Sequence, residues 1–220
     1  MSTQRITSAD QHEFQAYVTG DEHSPRGLVV LQEIFGVNDH IRATCERFAQ
    51  QGYRVISPAL FDRRERGVEM GYTAQDVQRG LALRGAIPLE KTLLDLQAAI
   101  DALGQRHVGI VGYCWGGSLS WQAACKLEGL QAASCWYGAQ IAQAADLKPR
   151  VPVQMHFGVQ DHSIPPSAVQ AIRAAQPQAD IYEYDEAGHG FGCQQRADFH
   201  APSYELAQQR TLEFFARHLR

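Results

Sequence analysis

A thiol, a carboxylate and an imidazole follow one another along this chain in an order suited to nucleophilic catalysis. Cys114 lies in the segment GYCWGG, which has the form Gly-x-nucleophile-x-Gly. Asp161 comes next, after an apolar run, and His189 follows in the glycine-flanked segment AGHGF. His189 could take the proton of Cys114 while Asp161 fixes the imidazole tautomer, so that the thiol attacks an ester or lactone carbonyl. The sequence therefore predicts a Cys-His-Asp triad.

The glycines beside Cys114 indicate how the thiol would be held. The apolar run 107–112 predicts a buried strand, and the small residues from 116 to 127 predict a helix, so the cysteine falls on a sharp turn between them. Glycine suits such a turn because it leaves room for close backbone approach. The N–H of Trp115 would then point from the helix N-terminus towards a developing oxyanion. A buried packing cysteine is the alternative for this motif alone, and the ordered Asp161 and His189 favour catalysis.

Strand-like and helix-like segments alternate from about residue 28 to the end, which is typical of a parallel sheet covered by helices. We expect one α/β domain over residues 1–220, with a mostly parallel central sheet flanked by helices on both faces. The charged, glycine-containing segment 61–74 predicts an excursion or lid outside the core, and the charge run 63–66 predicts a solvated surface. A short helix is expected around 81–84. The further predicted strands are 28–31, 53–56, 132–136, 151–157 and 181–184, and the further helices are 39–51, 88–103, 167–175 and 203–219.

Composition excludes several classes of protein. The 220 residues carry 20 Lys and Arg against 24 Asp and Glu, a net charge of −4, so no basic field indicates nucleic acid binding. The apolar runs are too short to span a membrane, and the polar start does not resemble a signal peptide. Five scattered cysteines without Cys-x-x-Cys pairs argue against a disulfide framework or a metal site. We therefore expect a cytoplasmic protein without a cofactor.

The chain resembles the dienelactone hydrolase (carboxymethylenebutenolidase) family of the α/β-hydrolase superfamily. The resemblance runs from about residue 12 to residue 219 and rests on four features. They are the segment QEIFG at 32–36, GYCWGG at 112–117, Asp161 and AGHGF at 187–191. A cysteine rather than a serine at the turn, together with QEIFG, is specific to this family. The resemblance implies an α/β-hydrolase fold and hydrolysis of a small, carboxylate-bearing lactone or ester through a thioester.

The resemblance also implies roles beyond the triad. Glu33 is expected to meet the resting thiol and to take part in its activation, and the backbone N–H groups of Ile34 and Trp115 are expected to form the oxyanion hole. The family clamps the substrate carboxylate with two arginines. Here the first could be Arg79 or Arg84, and the second position, four residues after His189, holds Cys193 instead. The remaining candidates for substrate binding are Arg196, Phe35 and Tyr113.

Two other classes of function stay open. The chain could be a non-catalytic scaffold that binds a small ligand, or a redox-sensing protein in which Cys114 and Cys193 pair. The histidines outside the motif, His40 among them, show no ligand spacing, and Cys45, Cys125 and Cys135 are expected in the core. The expected partner is a small-molecule ester or lactone, without nucleic acid or membrane, and the expected state is a monomer or weak homodimer.

Overall fold

The computed structural model describes residues 2–220 and contains eight strands and six helices of at least ten residues within them. The strands are β1 (Ser2–Thr7), β2 (Glu13–Thr19), β3 (Arg26–Leu31), β4 (Arg54–Pro58), β5 (His107–Tyr113), β6 (Leu130–Trp136), β7 (Val153–Gly158) and β8 (Asp180–Tyr184). The helices are α1 (Asp39–Gln50), α2 (Ala74–Gly85), α3 (Leu89–Leu103), α4 (Trp115–Lys126), α5 (Pro166–Ala175) and α6 (Ala201–His218). No helix in residues 2–220 has both the length and the apolar character needed to cross a membrane.

All eight strands form one sheet in the order β1-β2-β4-β3-β5-β6-β7-β8. The pairings from β4 through β8 are parallel, whereas β1 pairs antiparallel with β2 and β2 pairs antiparallel with β4 at one edge. This confirms the predicted α/β-hydrolase fold with its mostly parallel sheet. The alternation predicted from residue 28 onwards did not include β1 and β2. Strand β1 (STQRIT) is polar and largely exposed at the edge, whereas β2 (EFQAYVT) alternates buried and less buried residues and was missed despite that pattern.

The two faces of β5 show that helices cover the sheet on both sides. A Cβ added at Gly109 would meet Phe215 of α6, whereas one added at Gly112 would meet Ser120 of α4. Residues an odd number apart on a strand point to opposite faces, so α6 and α4 lie on opposite sides of β5. Cys114 therefore lies at the end of a central strand that helices cover on both faces.

Local hydrogen bonds account for the helix starts nearest the site. The Asn38 side chain accepts from the N–H of Ile41 and so caps α1 as predicted. Thr73 and Asp76 form a capping box at the start of α2. The helix α2 begins at this cap and spans twelve residues, so the short helix predicted around 81–84 is only its final part.

The prediction that segment 61–74 lies outside the core is wrong in part. Phe61, Val68 and Met70 are buried in the main apolar cluster, and an isolated bridge joins Gly36 to Glu69. The Phe61 ring stacks on Trp115, with ring centroids 5.4 Å apart. Apolar residues spaced irregularly among charges gave no periodic signal for this burial. The segment thus forms one wall beside the end of β5.

The charge run 63–66 is also not uniformly solvated. The Arg63 guanidinium lies 2.7 Å from Asp95 and 3.0 Å from Asp10, and only 11% of its side chain is exposed. Ser8 donates to Asp95 at 2.8 Å. These contacts tie the β1–β2 hairpin, the turn after β4 and helix α3 together, so Arg63 is a buried structural cation and its sequence-based assignment to the surface is wrong.

Candidate active site

Cys114 occupies a strained turn between β5 and α4. Its backbone has φ 54° and ψ −112°, a positive φ that L-residues rarely adopt. Glycines make the turn possible: a Cβ at Gly112 would lie 2.0 Å from the Gly116 carbonyl oxygen, and one at Gly117 would lie 2.2 Å from that of Trp136. The predicted strand, turn and helix are therefore all present, and they leave the Cys114 thiol partly exposed.

The thiol, imidazole and carboxylate predicted from the sequence lie in a hydrogen-bonded line. His189 Nε2 is 3.1 Å from Cys114 Sγ, and His189 Nδ1 is 2.7 Å from Asp161 Oδ2. The Asp161 side chain is fully buried in the loop after β7, where its other oxygen accepts from the N–H of Ser163. His189 lies in the loop after β8. The fold thus brings three distant segments together at the carboxyl edge of the sheet.

The protonation of His189 follows from these contacts. Burial lowers the pKa of the imidazole, but its hydrogen bonds to Asp161 and Cys114 outweigh burial and raise the pKa to about 10. The charged imidazolium is therefore favoured between a carboxylate and a sulfur. Such a group can stabilise a thiolate and hold a proton ready for a leaving oxygen.

The two backbone N–H groups expected in the oxyanion hole have no acceptor among residues 2–220. Trp115 is the first residue of α4, so its N–H has no acceptor within the helix. Ile34 lies in the turn after β3, and within residues 2–220 its N–H donates to no backbone or side-chain acceptor. Gly80 of α2 packs against Ile34, since a Cβ at Gly80 would lie 2.1 Å from the Ile34 carbonyl oxygen. The helix therefore fixes the turn that carries this N–H.

Glu33 pairs with Arg196 and does not hydrogen-bond the thiol in this arrangement, so its expected part in activating Cys114 stays a prediction. Its Oε1 lies 3.5 Å from Arg196 Nη1, while Cys114 contacts His189 instead. Glu33 is 1% exposed, and burial raises the pKa of its carboxyl group against the opposing effect of Arg196 and His189. In this arrangement Glu33 is paired with an arginine at the site and leaves the thiol free to meet the imidazole.

The structure separates the three candidate arginines. Arg196 lies over Phe35 and Tyr72, each at 5.9 Å from the ring centroid, and its side chain is 17% exposed. Arg79 is exposed and pairs with Glu65. Arg84 lines a separate cavity of about 450 Å³, which extends to Trp115 and Ser118. Of the three, Arg196 is the one that contacts Glu33.

The two aromatic candidates differ in position. Phe35 is buried beneath Arg196 and makes an edge contact with Tyr72, at 4.7 Å between centroids, so it forms a wall of the site. Tyr113 is 1% exposed and packs against Trp136, Tyr137 and His40. Tyr113 thus belongs to the aromatic layer below the thiol, and the structure gives it no open surface for a substrate.

One part of the site has no counterpart in the sequence analysis. His40, from α1, lies close to Glu33 and Cys193, and all three side chains are buried. Cys193 donates to the Tyr72 hydroxyl at 3.2 Å. All five cysteines are free thiols; Cys45 and Cys135 are buried as expected and Cys125 is partly buried. No sequence spacing indicated the cluster, because its members come from three separate loops and helices.

Comparisons with known proteins identify the family of this chain. The family model described as "Dienelactone hydrolase family" matches residues 14–219. A carboxymethylenebutenolidase of Pseudomonas putida is 33% identical over 96% of this chain and 94% of its own length. A candidate carboxymethylenebutenolidase of Yersinia pestis is 34% identical over 94% of this chain and 84% of its own. The crystal structure of a candidate dienelactone hydrolase from Klebsiella pneumoniae superposes with a TM-score of 0.81 and 32% identity, covering 99% of this chain and 100% of that one.

The family match covers nearly the whole chain and includes all three segments that meet at the end of β5. The relatives exceed 30% identity over most of both chains, which confirms the resemblance seen in the motifs. The chain belongs to the dienelactone hydrolase family and is a hydrolase of the lactone and ester class.

Proposed function

We propose that this enzyme hydrolyses small, carboxylate-bearing lactones or esters through a thioester on Cys114. The observation that carries the proposal is the position of His189, whose two ring nitrogens lie 3.1 Å from the Cys114 sulfur and 2.7 Å from Asp161. A base between a nucleophile and an orienting carboxylate is the arrangement that acyl transfer requires.

The first half of the reaction breaks the ester bond. The Cys114 sulfur, with its proton held by His189, attacks the carbonyl carbon and pushes the carbonyl electrons onto oxygen. The N–H groups of Ile34 and Trp115 stabilise that oxyanion. The tetrahedral intermediate then collapses, and His189 gives its proton to the departing alkoxide, which leaves a thioester on Cys114.

The second half restores the enzyme. His189, now neutral, takes a proton from water as the water oxygen attacks the thioester carbonyl. Collapse of this second intermediate expels the Cys114 sulfur and releases a carboxylic acid. Asp161 stabilises the imidazolium each time it forms and keeps Nδ1 protonated, so that Nε2 faces the reacting atoms.

Arg196 is the proposed anchor for the substrate carboxylate. Its guanidinium is partly exposed and lies over the rings of Phe35 and Tyr72. It forms two long ion pairs, to Glu33 at 3.5 Å and to exposed Asp198 at 3.4 Å. A substrate carboxylate could form a shorter, bidentate pair with this guanidinium. It would then compete with Glu33 for Arg196, so that binding at the arginine alters the charge beside the triad.

Thiol labelling combined with turnover tests the proposal. Iodoacetamide should label Cys114 and abolish hydrolysis of dienelactone and aryl esters, and Cys114→Ala should be inactive although folded. Cys125→Ala is the matched control, because Cys125 is also a partly buried free thiol but lies at the far end of α4. Hydrolysis that survives in Cys114→Ala would reject the proposal; tight ligand binding without turnover in the unmodified protein would favour a non-catalytic scaffold.

A further inference from the structure

Three different metal-binding groups meet beside the proposed triad. One ligand atom each from Glu33, His40 and Cys193 lies within 4.8 Å of the others. Their exposed fractions are 1%, 3% and 0%. They come from the turn after β3, the first turn of α1 and the loop after His189, so the fold itself creates their proximity.

Two of these groups carry a buried polar atom that has no hydrogen-bond partner among residues 2–220. Within residues 2–220, Glu33 Oε2 and His40 Nε2 are buried and accept or donate no hydrogen bond. Buried polar atoms in proteins are nearly always paired, because an unpaired one costs about 1–3 kcal/mol. The Glu33–Arg196 ion pair uses Oε1 and therefore leaves Oε2 without a partner. A cation bound by both atoms would satisfy them.

We propose that Glu33, His40 and Cys193 form a binding site for Zn²⁺. A carboxylate oxygen, an imidazole nitrogen and a thiolate sulfur are the three ligand types that zinc takes, at roughly 2.0–2.3 Å each. In a tetrahedral site such ligands stand about 3.5 Å apart, and the three ligand atoms now lie within 4.8 Å of one another, so the side chains would have to close in by at most about 1.3 Å. Three protein ligands leave a fourth position for water.

Binding of zinc at this cluster must release the proton of the Cys193 thiol. Burial, with help from Arg47 and Arg196, lowers the pKa of His40 to about 4, so the imidazole is neutral and has a lone pair to donate. Burial raises the pKa of the Cys193 thiol to about 11, so the thiol must lose its proton to solvent as the Zn–S bond forms. Arg196 opposes the cation, whereas Glu33 and the new thiolate offset its charge.

The cluster lies just beneath the surface. Cys193 contacts Tyr72 and Glu33 contacts Arg196, and both of these neighbours are partly exposed. The side chains of Tyr72 and Arg196 therefore lie between the ligands and solvent. The site is next to Cys114 and His189 but shares neither, so binding can be measured independently of turnover.

Titration with Co²⁺ alone tests the proposal, because a cobalt–thiolate bond gives a charge-transfer band in the near ultraviolet. The band should appear at one equivalent per chain in the unmodified protein and in Cys114→Ala, and excess Zn²⁺ should remove it. It should be absent in Cys193→Ala. A band that persists in Cys193→Ala, a band lost in Cys114→Ala, or no band at a large excess of Co²⁺ would each overturn the proposal.

A second variant covers the possibility that Cys193→Ala does not fold, as circular dichroism would reveal. His40→Phe keeps an aromatic ring against Tyr113, which His40 contacts edge-on at 6.0 Å, but removes the nitrogen donor. The Co²⁺ affinity of this variant should fall at least about tenfold, which is the smallest loss typical of disturbing a metal site. Unchanged affinity in a folded His40→Phe protein would also reject the site. Because Cys114→Ala serves as the positive control for binding, failure of the thioester mechanism and failure of the zinc site give different results.

Discussion

The guanidinium of Arg196 lies 3.5 Å from the carboxylate of Glu33, and the two residues are 163 positions apart in sequence. Gly190 permits this approach, because an added Cβ there would come within 2.8 Å of the Arg196 guanidinium. Glu33 is almost fully buried while the Arg196 side chain is 17% exposed. The arginine is thus the partner that an incoming anion can reach.

Replacing Arg196 with Ala should impair hydrolysis of anionic substrates selectively. A charge-assisted hydrogen bond contributes about 1.5–3 kcal/mol, so kcat/KM for a carboxylate-bearing ester should fall roughly tenfold to a hundredfold. A neutral ester of the same shape should be affected much less. Arg79→Ala is the matched control, because Arg79 is exposed and pairs with Glu65. Equal losses for both esters in Arg196→Ala would contradict the anchoring role.

Replacing Gly117 with Ala should damage the turn that holds Cys114. The added Cβ would lie 2.2 Å from the Trp136 carbonyl oxygen, and overpacking of this kind typically costs about 1–3 kcal/mol. We expect a lower melting temperature and a larger relative loss of turnover. Gly85→Ala, at the end of α2 with no atom within 4 Å of the added Cβ, should be neutral or slightly stabilising. The account of the turn would fail if the two variants behaved alike.

Stability should depend on pH through His189. Its pKa is about 10 in the folded protein and about 6.5 in the unfolded chain, so the folded state binds the proton more tightly. The stabilisation is therefore complete below a pH of about 6.5 and is lost as the pH rises towards about 10. In urea unfolding, the advantage of the unmodified protein over His189→Gln should shrink across this interval. A stability difference between the two proteins that grows with pH would contradict this prediction.

The ion cluster under the β1–β2 hairpin predicts a large effect of a single arginine. Removing Arg63 leaves Asp95, whose side chain is 1% exposed, as an unpaired buried charge. Breaking a buried pair in this way costs about 3–5 kcal/mol. Arg63→Ala should therefore lower the free energy of unfolding by that order, whereas Arg64→Ala, which is exposed, should change it by less than about 0.5 kcal/mol. Similar losses in both variants would show that the cluster does not stabilise the fold.

Much of the site could be predicted because local sequence encodes it. The glycines around Cys114 specify a close strand-to-helix turn, and the positions of Asp161 and His189 after strands place them at one edge of the sheet. The contacts that the sequence did not reveal join distant segments. Arg63 sits in a charge run typical of a surface, and its partners Asp10 and Asp95 are far away in the chain.

The arginine and metal candidates illustrate the same limit. Arg79, Arg84 and Arg196 could not be distinguished by spacing, because only the folded loops determine which guanidinium meets Glu33. His40 lies on a helix with no other ligand at helical spacing, so its proximity to Cys193 had no local signal. The burial of Glu33 was also not evident from the sequence. An acidic residue in the turn after a strand is expected to face solvent, but the Glu33 side chain is almost completely enclosed.

Trapping the acyl-enzyme tests the central claim most directly. The unmodified protein would be mixed with an activated ester, quenched in acid within the first turnover, and measured by intact-protein and peptide mass spectrometry. We predict one acyl group per chain, located on Cys114 and cleaved by hydroxylamine as a thioester is. Rapid hydrolysis with no acyl group on Cys114, or with the acyl group on another residue, would contradict the account.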